Sequence, residues 1–593
     1  MRRERWNWLV RGVMGAALAA TGWPLVAHWW PAPLQPAGPA EVAASTGGIA
    51  VDARDNLAPA ELAGLNAKYG VSFRYNSIHA QDEKLLIADN VPPERIESLV
   101  AQLRQDPLIE TAEPLYHYSS PKPPTAAQRV RQEQPSRKRG GKAWTPNDPR
   151  FAEQWNMRMV GAEQAWTRTR GKGVIVAVID TGVAFENDDT RCYQAKDFGE
   201  TRFARGYDFV NDDDHPNDDH GHGTHVAGTI AESTNNGEGA AGLAFEATIM
   251  PLKVLDEFGM GTNADIADAV RFAADHGADI INMSLGGSRP DAVLHEACKY
   301  AVKKGVLIVC AAGNSMRGPV GYPAAFPECL AVSAVGPSGD LTFYSSVGKQ
   351  VGIAAPGGEY RSEDERENGV LQNTVPMGIR EDDGYYALQG TSMASPHVAA
   401  TAALVMSMGI RDPAQVREVL ARGATPKKPA HHYGVGVLDA QRSVQAAGGM
   451  ARDSWLKLVF TVIAGVLGVG VGVIRHPARG LLRIPFVPLG FVLGFLIPDL
   501  FFGWMGYGSP FNIILHSALI PLYLLWEAES GKVYRFVAAL ALAMSIHLGW
   551  DAAMGHAPFA GVLPSHALPW LWVNTAVGLG VALVAWRRSF SAG

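Results

Sequence analysis

The central region of this 593-residue chain, from about residue 148 to 448, alternates short apolar runs with helix-type patterns. Runs such as VIVAVID, DIINMSL and GVLIVCAAG are apolar on both faces, and NADIADAVRFAADHG has the spacing of an amphipathic helix. Strands that are apolar on both faces are typical of a parallel sheet covered by helices on its two sides. The region therefore predicts an α/β domain with a doubly wound parallel sheet.

Length and charge narrow the class of protein further. The chain is several times longer than a typical domain, so we expect two to four folded units. Its formal net charge is −6, which leaves no overall basic surface and argues against nucleic-acid binding. The four cysteines include no CxxC pair and are too few for a disulfide scaffold or a zinc ribbon.

Residues 1–30 have the layout of a secretory signal or an uncleaved signal anchor. Arg2, Arg3, Arg5 and Arg11 precede an apolar stretch that continues to Trp30. This layout predicts export, with a buried helix as the alternative. Whether the segment is cleaved stays open.

Two segments separate this signal from the α/β domain. Residues 47–118 have the pattern of a small α/β module, in which strand-like GIAVDA and IETAEPLYHY flank a helical stretch. Residues 119–143 are rich in Pro, Gln and basic side chains and lack apolar periodicity, which predicts a disordered linker. The linker is either a site of proteolytic cutting or a tether that is never cut.

Five apolar segments follow residue 453, near 458–474, 484–504, 511–526, 536–552 and 570–586, each about long enough to cross a bilayer. Lys and Arg lie after the first, third and fifth segments, and the other two loops contain neither. Because Lys and Arg favour the cytoplasmic side, residues 455–588 are predicted to form an all-α transmembrane bundle. We therefore expect a multi-pass protein of the cell membrane, in contact with lipid, with its α/β domain outside the cell.

Ionisable residues within or beside the second to fourth of these segments are costly unless paired or functional. They are Asp499, His516, His547 and Asp551. Such a cluster is suited to a divalent metal, and the strings FLIPDL, LHS and HLGWD loosely resemble small membrane proteins described as metal-dependent hydrolase-like. Hydrogen bonding between helices, without a metal, is the alternative.

Three glycine-flanked polar islands interrupt the α/β domain: VIDTG at Asp180, DDHGHGTHVAG at His222 and GTSMASPHVAA at Ser392. A serine hydroxyl needs an imidazole to take its proton, and the imidazole needs a carboxylate to hold its tautomer. Asp180 ends a predicted strand, and the other two residues stand where a glycine-rich turn enters a helix. The three islands thus supply an acid, a base and a nucleophile.

These islands, in this order, resemble the subtilisin-like serine peptidases, and the likeness extends over about residues 144–444 of the predicted 144–448 domain. The resemblance implies a serine endopeptidase acting on proteins or peptides, with an inactive relative as the alternative. It also implies that Asn314, in AAGNS, supplies a side-chain donor to the oxyanion.

The resemblance further implies a substrate cleft. Its walls would be Ser284, Leu285 and Gly286 on one side and Ala311, Ala312 and Gly313 on the other. Gly321 would be the floor of the pocket for the residue before the scissile bond. With no side chain at that floor, we expect a deep, uncharged pocket that takes large apolar or aromatic residues.

Structural calcium is a further implication of the family likeness. Carboxylate and amide oxygens, which calcium prefers as ligands, converge in one predicted loop, and the resemblance combines three separate segments into a second site. The first set is Asp208, Asn211, Asp213 and Asn217, and the second is Asp148, Asp189 and Asn236. Acidic loops without a ligand are the alternative for either set.

The small module resembles the inhibitory propeptides of the same family, with an unrelated small domain as the alternative. We expect its last strand to lie along Ser284 to Gly286 and to be cut close to Tyr118, with that ring in the pocket floored by Gly321. The chain as a whole is then an exported, membrane-tethered, self-processing peptidase. The competing hypothesis gives the main activity to the membrane-domain His/Asp site, with the peptidase domain serving maturation or sensing.

Overall fold

The computed structural model describes residues 45–89, 91–125, 128–130, 144–187, 193–449, 536–542, 544–545 and 575–587. The chain divides into two compact units. One unit consists of Ala37–Ala451, and the other of Met1–Pro36 with Arg452–Gly593.

The first part of the larger unit is a small α/β module. Its elements are β1 (Ser45–Ala53), α1 (Pro59–Tyr69), β2 (Arg74–Tyr75), α2 (Ala80–Glu83), β3 (Leu85–Ala88), α3 (Pro93–Leu103) and β4 (Ile109–Ser119). The strands form an antiparallel sheet in the order β2-β3-β1-β4. Apolar residues on one side of α3, including Ile96, Leu99 and Leu103, share a core with Ile49 and Val51 of β1. The module therefore has a hydrophobic core of its own.

A parallel sheet forms the centre of the α/β domain. Its strands are β5 (Ile175–Asp180), β6 (Arg202–Phe203), β7 (Tyr207–Asp208), β8 (Thr248–Lys253), β10 (Ile280–Met283), β11 (Leu307–Ala311), β12 (Cys329–Val335) and β13 (Val351–Pro356). The order is β13-β12-β11-β10-β5-β8-β6, and β7 also pairs with β8. Strand β9 (Met260–Thr262) instead extends the sheet of the small module beside β4. The predicted parallel α/β architecture is confirmed.

Helices cover both faces of this sheet, as the apolar strands require. They are α4 (Trp155–Met159), α5 (Ala162–Ala165), α6 (His222–Ala231), α7 (Asn263–Asp275), α8 (Ala292–Lys303), α9 (Thr391–Met406), α10 (Pro413–Gly423) and α11 (Ala430–Tyr433). Along β5, Val176 and Val178 belong to one core cluster, whereas Ala177 and Ile179 belong to another. This alternation with a period of two buries both faces of the strand.

A two-stranded antiparallel hairpin, β14 (Val370–Thr374) and β15 (Gly384–Leu388), precedes α9. Every residue of α9 is buried. A helix that is apolar all round belongs in a protein interior. Helix α9 therefore crosses the domain core and fixes the position of its N-terminal residues.

The prediction of a disordered linker over 119–143 is wrong for its first part. Residues 119–125 and 128–130 are described, and residues 131–143 lie outside the described part. Hydrogen bonds join residues 119, 120 and 128–130 to the α/β domain. The backbone N–H of Val130, for example, donates to the carbonyl of Tyr385 at 2.9 Å. Low apolar content did not exclude order, because main-chain hydrogen bonds and a few side chains hold this segment.

In the smaller unit, residues 536–542, 544–545 and 575–587 are helical. Val537 and Ala541 share a small apolar cluster with Val581 and Ala585. Among the residues that the structure describes, no helix is both long and apolar enough to span a bilayer. Most of the five predicted segments, and the whole of residues 1–30, lie outside the described residues.

Candidate active site

Asp180 and His222 meet at the carboxyl edge of the parallel sheet. Asp180 is the last residue of β5, and His222 is the first residue of α6. His222 Nδ1 donates to Asp180 Oδ1 at 2.7 Å, and both side chains are buried. Because a carboxylate can only accept, Nδ1 is the donor, and Nε2 is the accepting nitrogen of the neutral ring. His222 Nε2 is buried and has no hydrogen-bond partner in the described structure.

A glycine next to His222 permits this close approach. A Cβ on Gly223 would overlap the carbonyl oxygen of Gly182, which follows β5. The backbone N–H of Gly223 donates to Thr181 Oγ1 at 2.9 Å. The glycine-rich sequence around His222 therefore brings α6 against the end of β5, which is what holds the imidazole beside Asp180.

Ser392 is the second residue of α9, and its side chain is almost fully buried. Its Oγ donates to the carbonyl of Ser284 at 3.1 Å, and its own carbonyl accepts from Ser284 Oγ at 2.8 Å. No hydrogen bond joins Ser392 Oγ to His222 Nε2 in the described structure. The structure thus brings the three predicted residues to one edge of the sheet, with the serine hydroxyl turned toward Ser284.

The amide of Asn314 is held in one orientation beside the start of α9. Its Oδ1 accepts from both the backbone N–H and the hydroxyl of Thr391, each at 3.0 Å. Because the oxygen is occupied, the Nδ2 group is the side that can donate elsewhere. Thr391 was not predicted from the sequence, although it stands directly before Ser392 in the same glycine-flanked island.

The residues predicted as cleft walls lie at the ends of two neighbouring strands. Ser284, Leu285 and Gly286 follow β10, and Ala311 ends β11. The N–H of Gly321 donates to the carbonyl of Ala312 at 3.0 Å, and that of Gly313 to Thr391 Oγ1 at 3.1 Å. A Cβ built on Gly321 would have one neighbour within 4 Å, the carbonyl oxygen of Gly287 at 3.0 Å. The space at Gly321 is therefore otherwise open.

The strand leaving the small module lies in this cleft, between two edges of the α/β domain. On one side β4 pairs with β9, with Tyr118 opposite Gly261. On the other side Ser119 and Gly286 exchange two backbone hydrogen bonds, at 3.0 and 3.2 Å. The segment β9, in the sequence GMGT, was not recognised from the sequence as a cleft edge, although its two glycines were a signal.

The predicted position of Tyr118 is wrong. Its ring lies against Gly287, where an added Cβ would be 3.0 Å from a ring carbon, and the side chain is 2% exposed. Burial raises the pKa of its hydroxyl well above the ordinary value. Antiparallel pairing of Ser119 with Gly286 places Pro121, not Tyr118, opposite Ser284 and so level with Ser392. The ring of Tyr118 therefore occupies a pocket for the residue three positions before the attacked one, and not the pocket floored by Gly321.

Three residues of the first predicted calcium loop, Asp208, Asn211 and Asp213, are joined by hydrogen bonds. Asp208 Oδ1 accepts from the N–H of Asn211 at 3.0 Å, and Asp208 exchanges two backbone hydrogen bonds with Asp213. Asn217 Oδ1 is buried and has no hydrogen-bond partner among the described residues. Burial raises the pKa of Asp208. The Asn217 amide donates to Glu186, and a buried oxygen without a partner is a group that a bound cation would satisfy.

The second predicted calcium loop is described only in part, because Asp189 lies outside the described residues. Asp148 accepts from the N–H of Asn235 at 2.8 Å, and burial raises its pKa to about 6. Asn236 Oδ1 already accepts from the N–H of Glu238 at 3.0 Å. Across the described residues, no group of three or more His, Cys, Asp or Glu is arranged to hold a metal ion.

The four predicted membrane-domain residues, Asp499, His516, His547 and Asp551, all lie outside the described part of the chain. The described cysteines, Cys298, Cys310 and Cys329, are free and buried in the α/β domain. They are not part of the arrangement around Ser392.

Comparison with known proteins agrees with this geometry. The sequence model of the Subtilase family matches residues 171–436. The chain is 36% identical over 331 residues to the thermophilic serine proteinase of Bacillus sp. (strain AK1), covering 56% of this chain and 71% of that protein. It is 35% identical over 304 residues to thermitase of Thermoactinomyces vulgaris, covering 51% of this chain and 100% of that protein. Subtilisin Savinase of Lederbergia lenta is 35% identical over 296 residues, which covers 49% of this chain and 98% of that protein. The chain belongs to the subtilase family of serine endopeptidases.

Proposed function

We propose that this chain is an exported, membrane-tethered serine endopeptidase made as a self-processing zymogen. The single observation that carries the zymogen hypothesis is the course of Tyr118, Ser119 and Ser120 through the cleft. This segment is paired on both sides, with Gly259 and Gly261 on one edge and Gly286 on the other. A substrate is excluded while the segment occupies these edges, which supports an inhibitory role for the 47–118 module.

We assign the chemistry to the four residues around the end of the cleft. His222 Nε2 takes the proton of Ser392 Oγ as this oxygen attacks the scissile carbonyl, and later returns it to the leaving amine. Asp180 holds the imidazole and stabilises its charged form. Asn314 Nδ2 donates to the oxyanion, because its Oδ1 is fixed by Thr391.

A fluorophosphonate probe and N-terminal sequencing together test this proposal. The probe is expected to label the processed chain but not its Ser392→Ala variant, which should also keep its 47–118 module attached. Labelling of the Ser392→Ala variant, or processing at the same rate, would remove Ser392 from the nucleophile's role.

The residue at the attacked position favours inhibition over cleavage. Pro121, opposite Ser284, has no N–H to donate to the carbonyl of Ser284. That carbonyl instead accepts the hydroxyl of Ser392 at 3.1 Å, and Ser392 Oγ makes no hydrogen bond to His222 in the described structure. We therefore expect self-cleavage after Pro121 to be slow while the segment keeps this register.

Changing Pro121→Tyr is expected to speed self-processing at the bond after position 121 at least about tenfold. The new N–H can donate to Ser284, and one such hydrogen bond at about 1–1.5 kcal/mol corresponds to roughly a tenfold change in rate. A time course of processing by gel and N-terminal sequencing measures the effect. Pro124→Tyr, a matched change beyond the attacked bond, should leave the rate near that of the parent. Equal acceleration by both changes would contradict the register.

We propose that substrates carry a large apolar residue before the scissile bond and an aromatic residue three positions further upstream. The first preference is supported by the open space at Gly321 between uncharged walls. The second is supported by the buried ring of Tyr118, which packs against Gly287. Peptide libraries varied at these two positions test both preferences.

We propose structural calcium at Asp208, Asn211, Asp213 and Asn217, and a second ion at Asp148, Asp189 and Asn236. The buried, unpaired oxygen of Asn217 supports the first site. Chelation is expected to lower the Tm, because a ligand that binds only the folded state stabilises it by mass action. Melting curves in excess chelator and in millimolar calcium measure the shift. An unchanged Tm would reject both sites. Asn217→Ala should abolish the part of the Tm shift that comes from calcium at the first site.

The contact between the module and the peptidase domain is expected to weaken as pH rises from 5 to 8. Asp268 accepts from Ser77 Oγ at 2.6 Å, and Asp52 is 2.7 Å from Arg271. Burial raises the pKa of Asp268 to about 7 and that of Asp52 to about 6. The other charges near them include Asp265, Glu110 and Asp55.

Release of the module would return both pKa values toward the ordinary range, so the bound state holds more protons above about pH 4. The affinity of the module for the peptidase domain is therefore greatest at low pH. It falls through pH 6–7, by at most about tenfold per pH unit for each titrating group. Co-elution of the processed module with the peptidase domain between pH 5 and 8 measures this dependence. Asp268→Asn should flatten it, and a profile that is flat in the parent would contradict it.

We propose that the apolar segments of 455–588 anchor the chain in the cell membrane with the peptidase domain outside. The distribution of Lys and Arg between the loops supports this orientation. Retention of the full chain in the membrane fraction, with its peptidase domain accessible to protease added to intact spheroplasts, tests the proposal. A chain recovered entirely in the soluble fraction would overturn it.

A further inference from the structure

Beyond the cleft, the segment Gln128–Val130 lies along the outer edge of the hairpin strand β15. Val130 N–H donates to Tyr385 O at 2.9 Å, and Arg129 forms an antiparallel bridge with Tyr386. The other edge of β15 pairs with β14. The segment therefore adds a short third strand to this hairpin, a recognised mode of peptide binding.

The side chains of this segment are each received by a matching group. The Arg129 guanidinium lies over Gly384, donates to the carbonyl of Asp383 at 3.0 Å and is 3.9 Å from Asp382 Oδ1. Val130 packs against an apolar cluster formed by Ala240, Leu371, Tyr385 and Ala387. These contacts select for a cation followed by a β-branched apolar residue.

A buried arginine completes the surface. Arg150, whose side chain is 3% exposed, donates to the carbonyl of Val130 at 2.8 Å and is paired with Glu153. An arginine at this depth needs polar partners, and it offers one of its N–H groups to the main chain of whatever segment lies on β15. Recognition of a main-chain carbonyl does not depend on the sequence of the bound segment.

The direction of β15 connects this surface with the active site. The strand ends at Leu388, four residues before Ser392, and Arg129 lies eight residues after Pro121. Strand β15 runs toward Ser392, so a strand antiparallel to it runs away from Ser392. The part of a substrate that follows the scissile bond is therefore directed along this edge. A long polypeptide in the cleft can reach the surface, whereas a short peptide cannot.

We propose that the outer edge of β15 is an exosite that binds extended polypeptide substrates by strand addition. It takes an arginine followed by a β-branched apolar residue, about eight residues beyond the scissile bond. Residues 128–130 of the chain itself compete with the substrate for the site. The proposal rests on the proposed course of the chain through the cleft, and it adds a preference for long, unfolded substrates with a basic residue downstream.

Two quenched fluorescent peptides of about 18 residues test the exosite on the processed full chain. They share one cleavable sequence. Eight and nine residues after the attacked residue, one peptide carries Arg-Val and the other carries Glu-Gly. The enzyme carries Arg129→Glu, which weakens the binding of its own residues 128–130 to β15. With this enzyme, the Arg-Val peptide is expected to have a KM about tenfold lower than the Glu-Gly peptide. Equal KM values would overturn the exosite.

Gly384→Val is the matched blocking variant. The three nearest atoms to a Cβ at Gly384 all belong to the Arg129 guanidinium end, the closest at 2.7 Å, so the change obstructs the guanidinium position. It is expected to remove the difference between the two peptides. Asp382→Lys, at an exposed carboxylate, provides a second variant that should also reduce the difference. A difference that survives both changes would contradict the proposal.

A short peptide that ends three residues after the scissile bond separates this test from the proposed function. Its hydrolysis should be unchanged by Gly384→Val and by Asp382→Lys. Loss of short-peptide hydrolysis in the Arg129→Glu chain would show that this background disturbs the catalytic site, and binding to the Ser392→Ala, Arg129→Glu chain then tests the exosite alone. Fluorescence anisotropy of labelled peptides that carry only the downstream Arg-Val or Glu-Gly part, which do not need the cleft, should show the same tenfold preference there. Equal binding would overturn the exosite.

Discussion

Ser392→Ala is expected to lower kcat about 10⁶-fold, and adding His222→Ala to it should cause little further loss. That magnitude is the one found in subtilisin itself, and the non-additivity follows because the residues act as one unit. In the structure, His222 Nδ1 lies 2.7 Å from Asp180 Oδ1, and Ser392 lies at the same edge of the sheet. Once the nucleophile is gone, the base has no proton to accept.

Steady-state hydrolysis of a short chromogenic peptide by both single variants and the double variant measures this coupling. Ser395→Ala is a matched control, because Ser395 is a buried serine of the same helix whose Oγ is 2.9 Å from Ser284 Oγ. It should retain most of the activity. If the losses from Ser392→Ala and His222→Ala multiply in the double variant, the two residues do not act as one unit.

Much of the site could be predicted from the sequence because its key residues lie at the ends of regular elements. Asp180 ends a strand that is apolar on both faces, and such strands have their carboxyl ends at one edge of a parallel sheet. His222 and Ser392 lie in the first turns of helices whose N-caps are Gly221 and Gly390. Strand, turn and helix signals are local in sequence, so these positions required no knowledge of distant contacts.

Local sequence patterns do not determine the register of the segment that crosses the cleft. The segment PLYHYSSP is strand-like throughout, and a shift along the cleft keeps the same main-chain hydrogen bonding possible. What fixes the observed register is the fit of one ring, Tyr118, against Gly287, together with the pairings to Gly261 and Gly286. These partners lie more than 140 residues away along the chain, so an aromatic residue in a strand could not reveal which pocket it enters.

The order of residues 128–130 was missed for a related reason. The linker lacks apolar periodicity, and composition alone then indicates disorder. Its binding depends on an edge of β15 that carries no strand of the main sheet, because β14 and β15 form a two-stranded sheet of their own. An added strand needs main-chain hydrogen bonds and one or two seated side chains, and such short segments carry almost no compositional signal.

Asn314→Ala is expected to lower kcat by roughly 10²- to 10³-fold and to leave KM nearly unchanged. This range is that of an oxyanion-hole donor in subtilisin itself. The geometry supplies the reason, because Thr391 fixes Asn314 Oδ1 with two hydrogen bonds at 3.0 Å and so presents Nδ2 as the donor. The oxyanion exists only in the transition state and the intermediate, so the loss belongs in kcat.

Thr391→Val separates the donor from its support. It removes the hydroxyl bond to Asn314 Oδ1 and the acceptor of the Gly313 N–H, but keeps the backbone N–H of Thr391 that also holds Asn314 Oδ1. We expect kcat to fall by about tenfold, the equivalent of one hydrogen bond. In the Asn314→Ala background the same change should have little effect on kcat, because Thr391 then has no amide to orient and the loss at Gly313, a predicted cleft wall, belongs in KM. Measured kcat and KM for the two single variants and the double variant show whether Thr391 acts through Asn314. An Asn314→Ala variant that changes KM alone would assign Asn314 to substrate binding, and Thr391→Val acting equally in both backgrounds would show that Thr391 does not work through Asn314.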